Sequence, residues 1–158
     1  MLQPNLILLA DDEENDVFLV RRAFEKAGVP HTLIVAENGQ IAVDYLQKAS
    51  LDEDGEAAPL PALLLLDLHM PRMDGFDVLT WLSTRPDFNQ VAVVVFSSSS
   101  LEQDIQKAKA LGADDYQIKP SRFDALVALA VELHSHWLCG TSQAKSAKVT
   151  IEPAALLA

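Results

Sequence analysis

Four short apolar runs and a fifth, more polar one recur along this chain, and each is followed by a stretch in which apolar residues return at helical spacing. The runs lie at 6–10 ("LILLA"), 32–36 ("TLIVA"), 62–66 ("ALLLL"), 91–96 ("VAVVVF") and 114–119 ("DDYQIK"). Runs of this length that are apolar throughout read as strands buried on both faces, although periodicity by itself leaves a buried helix open for the first. The intervening segments are less ambiguous. Val17, Val20, Phe24 and Ala27 line one helical face, and Gly28 with Pro30 stops it. After the Asn38–Gly39 turn, a second helix is expected over 39–49, with Ala42, Val43 and Leu46 inward. Asp74 is placed to cap a third helix to about residue 84, with Asp77 at its third position and Phe76, Leu79 and Leu82 inward. Ser100 with Gln103 forms a capping-box pattern for a fourth helix ending at Gly112. Ser121 with Asp124 starts a fifth, whose broad face carries Phe123, Leu126, Val127, Ala130 and Trp137.

Strand–helix repeated five times predicts an α/β fold, a parallel five-stranded sheet with helices on both faces. Doubly wound sheets of this size take the order 2-1-3-4-5, with the topological switch point between strands one and three. Ligands of such sheets bind beyond the carboxyl ends of the strands at that point. Here strand one ends on Asp11 and Asp12, and strand three on Asp67, so three carboxylates are expected in one crevice. The ends of strands four and five add Ser97 and Lys119.

Clustered carboxylates repel, and two arrangements relieve them: one acid keeps a proton, or a hard dication sits among them. Mg²⁺ favours oxygen ligands and often retains a phosphate oxygen, and a neighbouring lysine and hydroxyl suit phosphate. The pattern therefore points to Mg²⁺-assisted phosphoryl transfer, with Asp67, alone at its strand end, as the candidate carboxylate nucleophile. The acids that follow, Glu13, Glu14 and Asp16, read as a solvated first helical turn with no part in the chemistry.

The net charge of −11 over 158 residues argues against nucleic acid or an anionic membrane surface as partner. Cys139 is the single cysteine, which rules out an intrachain disulfide and favours a reducing, cytoplasmic setting. The start "MLQPNLILLADD" has neither a basic leader nor an apolar run long enough to span a membrane. His31, His134 and His136 match no metal spacing and read, with Trp81, as packing or surface residues.

The segment "DLHMPRMDG" from Asp67, together with Asp11–Asp12, Ser97 and Lys119–Pro120, resembles the receiver domains of two-component response regulators. The likeness spans residues 5–138 and implies a flavodoxin-like doubly wound (β/α)5 domain over 1–138. By that resemblance Asp67 accepts a phosphoryl group from a histidine kinase. Asp11, Asp12, Asp67 and the backbone carbonyl of His69 hold Mg²⁺, with Asp12 and Asp67 as direct carboxylate ligands. Lys119 bridges phosphate and acids, Ser97 is the switch hydroxyl and Tyr116 the switch aromatic. A cis Lys119–Pro120 bond is also implied, and His69 and Ser99 occupy positions that tune phosphate lifetime. The long acidic loop at 50–61, "HTLIVAENGQIAVDYL" and the late "HWL" resemble single-domain regulators that partner phytochrome-type kinases. The expectation is a stand-alone phosphorylation switch rather than an enzyme, with output through protein contact or a homodimer. The tail, 139–158, is expected to be a disordered end or a dimerisation arm. Two rivals from other classes are an Mg²⁺-dependent small-molecule phosphatase or phosphotransferase, and an interaction domain that is never phosphorylated. Rapid turnover of a phosphate ester would mark the first, and absence of any phosphoryl acceptance the second.

Overall fold

The structure, a computed structural model, describes residues 2–51 and 58–138. The expectations placed on the tail and on the centre of the acidic loop therefore fall outside the described residues. In chain order the elements are β1 (Leu2–Ala10), α1 (Glu14–Ala27), β2 (Thr32–Ala36), α2 (Gly39–Leu51), β3 (Leu60–Leu66) and α3 (Gly75–Ser83). A 3-10 turn (Pro86–Phe88), β4 (Ala92–Ser97), α4 (Glu102–Ala110), β5 (Asp115–Ile118), α5 (Phe123–Leu133) and a π-helical turn (His134–Leu138) complete it. The sheet is parallel throughout, in the order β2-β1-β3-β4-β5.

The apolar runs of β1, β3 and β4 are continuous because each of these strands feeds two cores. Alternate side chains of β1, β3 and β4 point to opposite faces. Ile7, Leu9, Leu63, Leu65, Val94 and Phe96 meet α1 and α5 through Val20, Phe24, Leu126, Leu129 and Leu133. Leu8, Leu64, Leu66, Val93 and Val95 meet α2 and α3 through Val43, Leu46, Val78 and Leu79. Val35 pairs with Leu9, which pairs in turn with Leu65 on the other side. Trp137 is buried in the first core, as its place on the inward face requires.

Several boundaries differ from expectation. β1 begins at Leu2, because residues 2–3 pair with Leu60 and Pro61 across a register shift before Ile7. Pro4, which has no N–H to donate, falls in that irregular stretch. The Asp74 cap forms as a reciprocal box: Asp77 N–H donates to Asp74 at 2.9 Å, and Asp74 N–H to Asp77 at 3.1 Å. The other two cap patterns fail. α4 starts behind Leu101, whose aliphatic side chain cannot cap, because the serine hydroxyl in use is that of Ser99. α5 starts behind Arg122, and Asp124 instead pairs with that residue's guanidinium at 3.0 Å. Phe123 turns outward, at 39% exposure, one position ahead of the stripe that packs. No peptide bond among the described residues is cis, so Lys119–Pro120 is trans, the isomer that X–Pro bonds intrinsically favour. Lys119 reaches the crevice in that form, its N–H held by the Ser97 carbonyl at 2.8 Å.

Candidate functional site

The strand ladder positions the acids. Asp11 N–H donates to the Ala36 carbonyl at 3.0 Å and Asp67 N–H to the Ala10 carbonyl at 2.9 Å, so both residues continue the backbone pairing of the sheet. Their side chains therefore emerge side by side at the switch point. Asp11, Asp12 and Asp67 offer carboxylate oxygens that all lie within 4.8 Å of one another. Asp11 and Asp67 are buried, whereas Asp12 is exposed.

Lys119 closes the cluster from β5. Its Nζ lies 2.7 Å from Asp16 Oδ2, 3.0 Å from Asp11 Oδ2 and 3.3 Å from Asp67 Oδ2. Hydrogen bonds run to Asp16 and Asp67. Asp11 Oδ2 is fully buried and receives no directed hydrogen bond, only the nearby charge. Burial dominates at Asp11 and lifts its pKa to about 6, despite the opposing Glu13 N–H and Lys119. Burial also raises Asp67 above the usual carboxylate range, against the pull of Lys119 and of the His69 and Leu68 N–H groups. Burial pushes Lys119 down, but the Asp16 hydrogen bond and the charges of Asp11 and Asp67 outweigh it, leaving the ammonium more firmly protonated than usual.

The segment after Asp67 is clamped. Gly75 N–H donates to the Leu68 carbonyl at 3.0 Å, and a Cβ at Gly75 would collide with the Asp67 carbonyl. At the far side Gly39 N–H donates to the Met73 carbonyl at 3.0 Å, again so close that a Cβ would not fit. Between these contacts Met73 N–H bonds the Pro71 carbonyl at 2.7 Å around Arg72, whose φ is 68°. That γ-turn is a strained conformation for arginine, costing on the order of 1–3 kcal/mol.

Ser97 and Tyr116 belong to a second, separate group. Ser97 is fully buried, and its Oγ accepts from Ser99 N–H at 3.1 Å. The Tyr116 hydroxyl donates to the Ser99 carbonyl at 2.8 Å. The Ser99 hydroxyl donates to Asp104 of α4 at 2.6 Å and accepts from Leu101 N–H at 3.3 Å. The expected site residues thus sit at the carboxyl edge of the sheet, with Asp11 and Asp67 beside Lys119, Ser97 and Tyr116 hydrogen-bonded around Ser99, and Asp12 exposed next to the first group. His69 lies in the clamped loop with its side chain exposed.

Two residues were under-read in the sequence. Asp16 is the nearest partner of Lys119, not a bystander in a solvated turn. Its spacing gave no signal, because Asp12 precedes α1 and helical periodicity does not relate the two. Asp104 had no signal of its own, since its role depends on where α4 begins.

A divalent cation fits these residues: three convergent hard oxygens, one buried and without a directed hydrogen bond, are the donor set such ions prefer. Comparison with known proteins agrees with the fold. Residues 7–131 match the response regulator receiver domain. The probable methanogenesis regulatory protein FilR2 of Methanothrix harundinacea is 32% identical over 85% of this chain and 84% of its own length. Response regulator Rcp1 of Synechocystis is 32% identical over 85% of this chain and 90% of its own. The Mn²⁺-bound form of Rcp1 superposes with a TM-score of 0.73, covering 86% of this chain and 96% of that one. The phosphorylated cyanobacterial phytochrome response regulator RcpA gives 0.75 at 29% identity, covering 88% and 97%.

Proposed function

The chain belongs to the response regulator receiver domain family, and on that premise we propose that Asp67 is its phosphoacceptor. The protein is a two-component signalling domain. The observation that carries the assignment is Lys119 Nζ, 3.3 Å from Asp67 and 3.0 Å from an Asp11 oxygen that has no directed hydrogen bond. A carboxylate at that place has a fixed cation beside it and two further acids at hand for a metal.

In the step we infer, an Asp67 carboxylate oxygen attacks the phosphorus of a phosphohistidine on a sensor kinase. The P–N bond breaks, the imidazole leaves, and an acyl phosphate remains on Asp67. Lys119 supplies positive charge to the transferred oxygens. Asp11, Asp12, Asp67 and the His69 carbonyl would hold Mg²⁺, which when bound neutralises charge on the phosphoryl oxygens. Ser97 Oγ, now engaged by the Ser99 N–H, would rotate to the phosphoryl group, and Tyr116 would leave the Ser99 carbonyl for the interior. The output is a changed surface around α4 and β5, read by another protein or a second copy. Likeness to Rcp1 and to the phytochrome regulator RcpA supports a phytochrome-type kinase as donor.

Incubation with acetyl phosphate and Mg²⁺ tests the acceptor. Wild type is expected to gain about one hydroxylamine-sensitive phosphate, and Asp67→Asn none. Labelling of Asp67→Asn at the wild-type level would overturn the assignment.

A further inference from the structure

We propose that Asp16 is a positioning residue that holds Lys119 before phosphorylation and releases it to the phosphoryl group afterwards. The inference rests on the reading of Asp67 as phosphoacceptor and adds a competitor to it.

An ammonium has three N–H donors and here faces three carboxylates. They are not equivalent partners. Asp16 takes the shortest bond, 2.7 Å, although it comes from the first turn of α1 rather than from a strand end. Asp67 takes a longer one, 3.3 Å, and Asp11 receives none that is directed. The side chain that the chemistry needs most is therefore bound most closely by the acid that the chemistry does not use.

Their access to water differs in the same sense. The Asp11 side chain is fully buried and that of Asp67 7% exposed, whereas that of Asp16 is 32% exposed. A buried carboxylate that loses its counter-charge has no water to replace it, and a partly exposed one does. Asp16 is thus the partner that Lys119 can leave at least cost. Phosphorylation of Asp67 adds roughly 1.5–2 negative charges beside Nζ. The ammonium then exchanges Asp16 for a phosphoryl oxygen, and Asp16 is hydrated in its place. In the unphosphorylated protein the Asp16 bond opposes that exchange and sets how readily the phosphorylated arrangement forms.

Beryllofluoride with Mg²⁺, a phosphoryl mimic, provides the test. Asp16→Asn keeps the shape and an acceptor oxygen but removes the charge, and is expected to bind beryllofluoride three- to tenfold more tightly than wild type. Asp16→Glu keeps the charge and is expected within twofold of wild type. The ¹⁵N resonance of the Lys119 ammonium is the readout that a merely structural role would not move. It should differ between wild type and Asp16→Asn in the free proteins and coincide in the two complexes. Weaker or unchanged binding by Asp16→Asn, equally tight binding by Asp16→Glu, or a wild-type Lys119 resonance that does not move on binding would each overturn the proposal. Wild type that fails to bind beryllofluoride, or Asp67→Asn that binds as wild type does, would remove the phosphoacceptor reading itself. Thermal midpoints confirm that the variants fold, and the wild-type resonance decides the matter even without them.

Discussion

The two flanks of the crevice are built differently. On one side, Asp11 and Asp16 are carried by β1 and α1, and α1 buries Val20, Ala23 and Phe24 against α5 and the sheet. On the other, Ser97, Ser99 and Tyr116 lead into α4, of which Ala108 is the buried residue. Burial of apolar surface fixes the first flank, whereas side-chain hydrogen bonds through Ser99 hold much of the second. Exchangeable hydrogen bonds each contribute only about 0.5–1.5 kcal/mol net, so the second flank can rearrange without disturbing the first.

The sharpest way to break this contrast is to weaken the flank that should be rigid. Phe24→Ala removes a buried ring from between α1 and the sheet and is expected to destabilise the fold by about 3–5 kcal/mol in denaturant unfolding. Amide exchange in α1 and α5 should accelerate together, while exchange in α4, already local, should change little. Equal acceleration in α4 would erase the distinction between flanks.

A smaller effect belongs to Asp11. Its folded pKa of about 6 lies above the ordinary value of 3.8, so the protonated form favours the fold. That contribution is complete below about pH 3.8 and is lost as pH rises through 6. At neutral pH the buried charge therefore costs on the order of 2–3 kcal/mol. Asp11→Asn should raise the thermal midpoint at pH 7 and do so progressively less toward pH 4. Saturating Mg²⁺ should stabilise wild type at pH 7 and stabilise Asp11→Asn less, because Asp12 and Asp67 remain. A midpoint in wild type that does not depend on pH across this window would contradict the burial argument.

The smallest expected change is at Ser99. Ser99→Ala removes the hydroxyl that ties Asp104 and Leu101 N–H together, and should cost about 1 kcal/mol or less in global stability. Its mark should instead be faster exchange at the first turn of α4. A global loss as large as that of Phe24→Ala would show that this flank is part of the core.

The same contrast explains what could be read beforehand. The strands, their order, the meeting of Asp11, Asp12, Asp67 and Lys119, and the place of Ser97 on the same sheet edge follow from apolar runs and element order, because burial on two faces leaves few alternatives. The α3 cap was legible because Asp74 and Asp77 complete a box by themselves. The α4 start was not, because Ser98, Ser99 and Ser100 present similar local chemistry and tertiary contacts choose among them. Asp16 was hidden among five acids in six positions, where composition suggests solvation and only the path of Lys119 singles one out. The trans bond before Pro120 was misread because the resemblance, not the residues, implied it.

The segment between Asp67 and Gly75 is gripped at both ends, by Gly75 under the Asp67 carbonyl and by Gly39 against Met73. In mechanical terms it is an abutment. A load applied at Asp67 finds no compliance toward α2 or α3, where backbone already touches backbone. Under the proposed switch, displacement would run the other way, through Ser97 toward Ser99 and α4. Its direction would then be set by stiffness on the silent side as much as by chemistry on the responsive one, and filling either glycine contact would be expected to redirect it as well as weaken it.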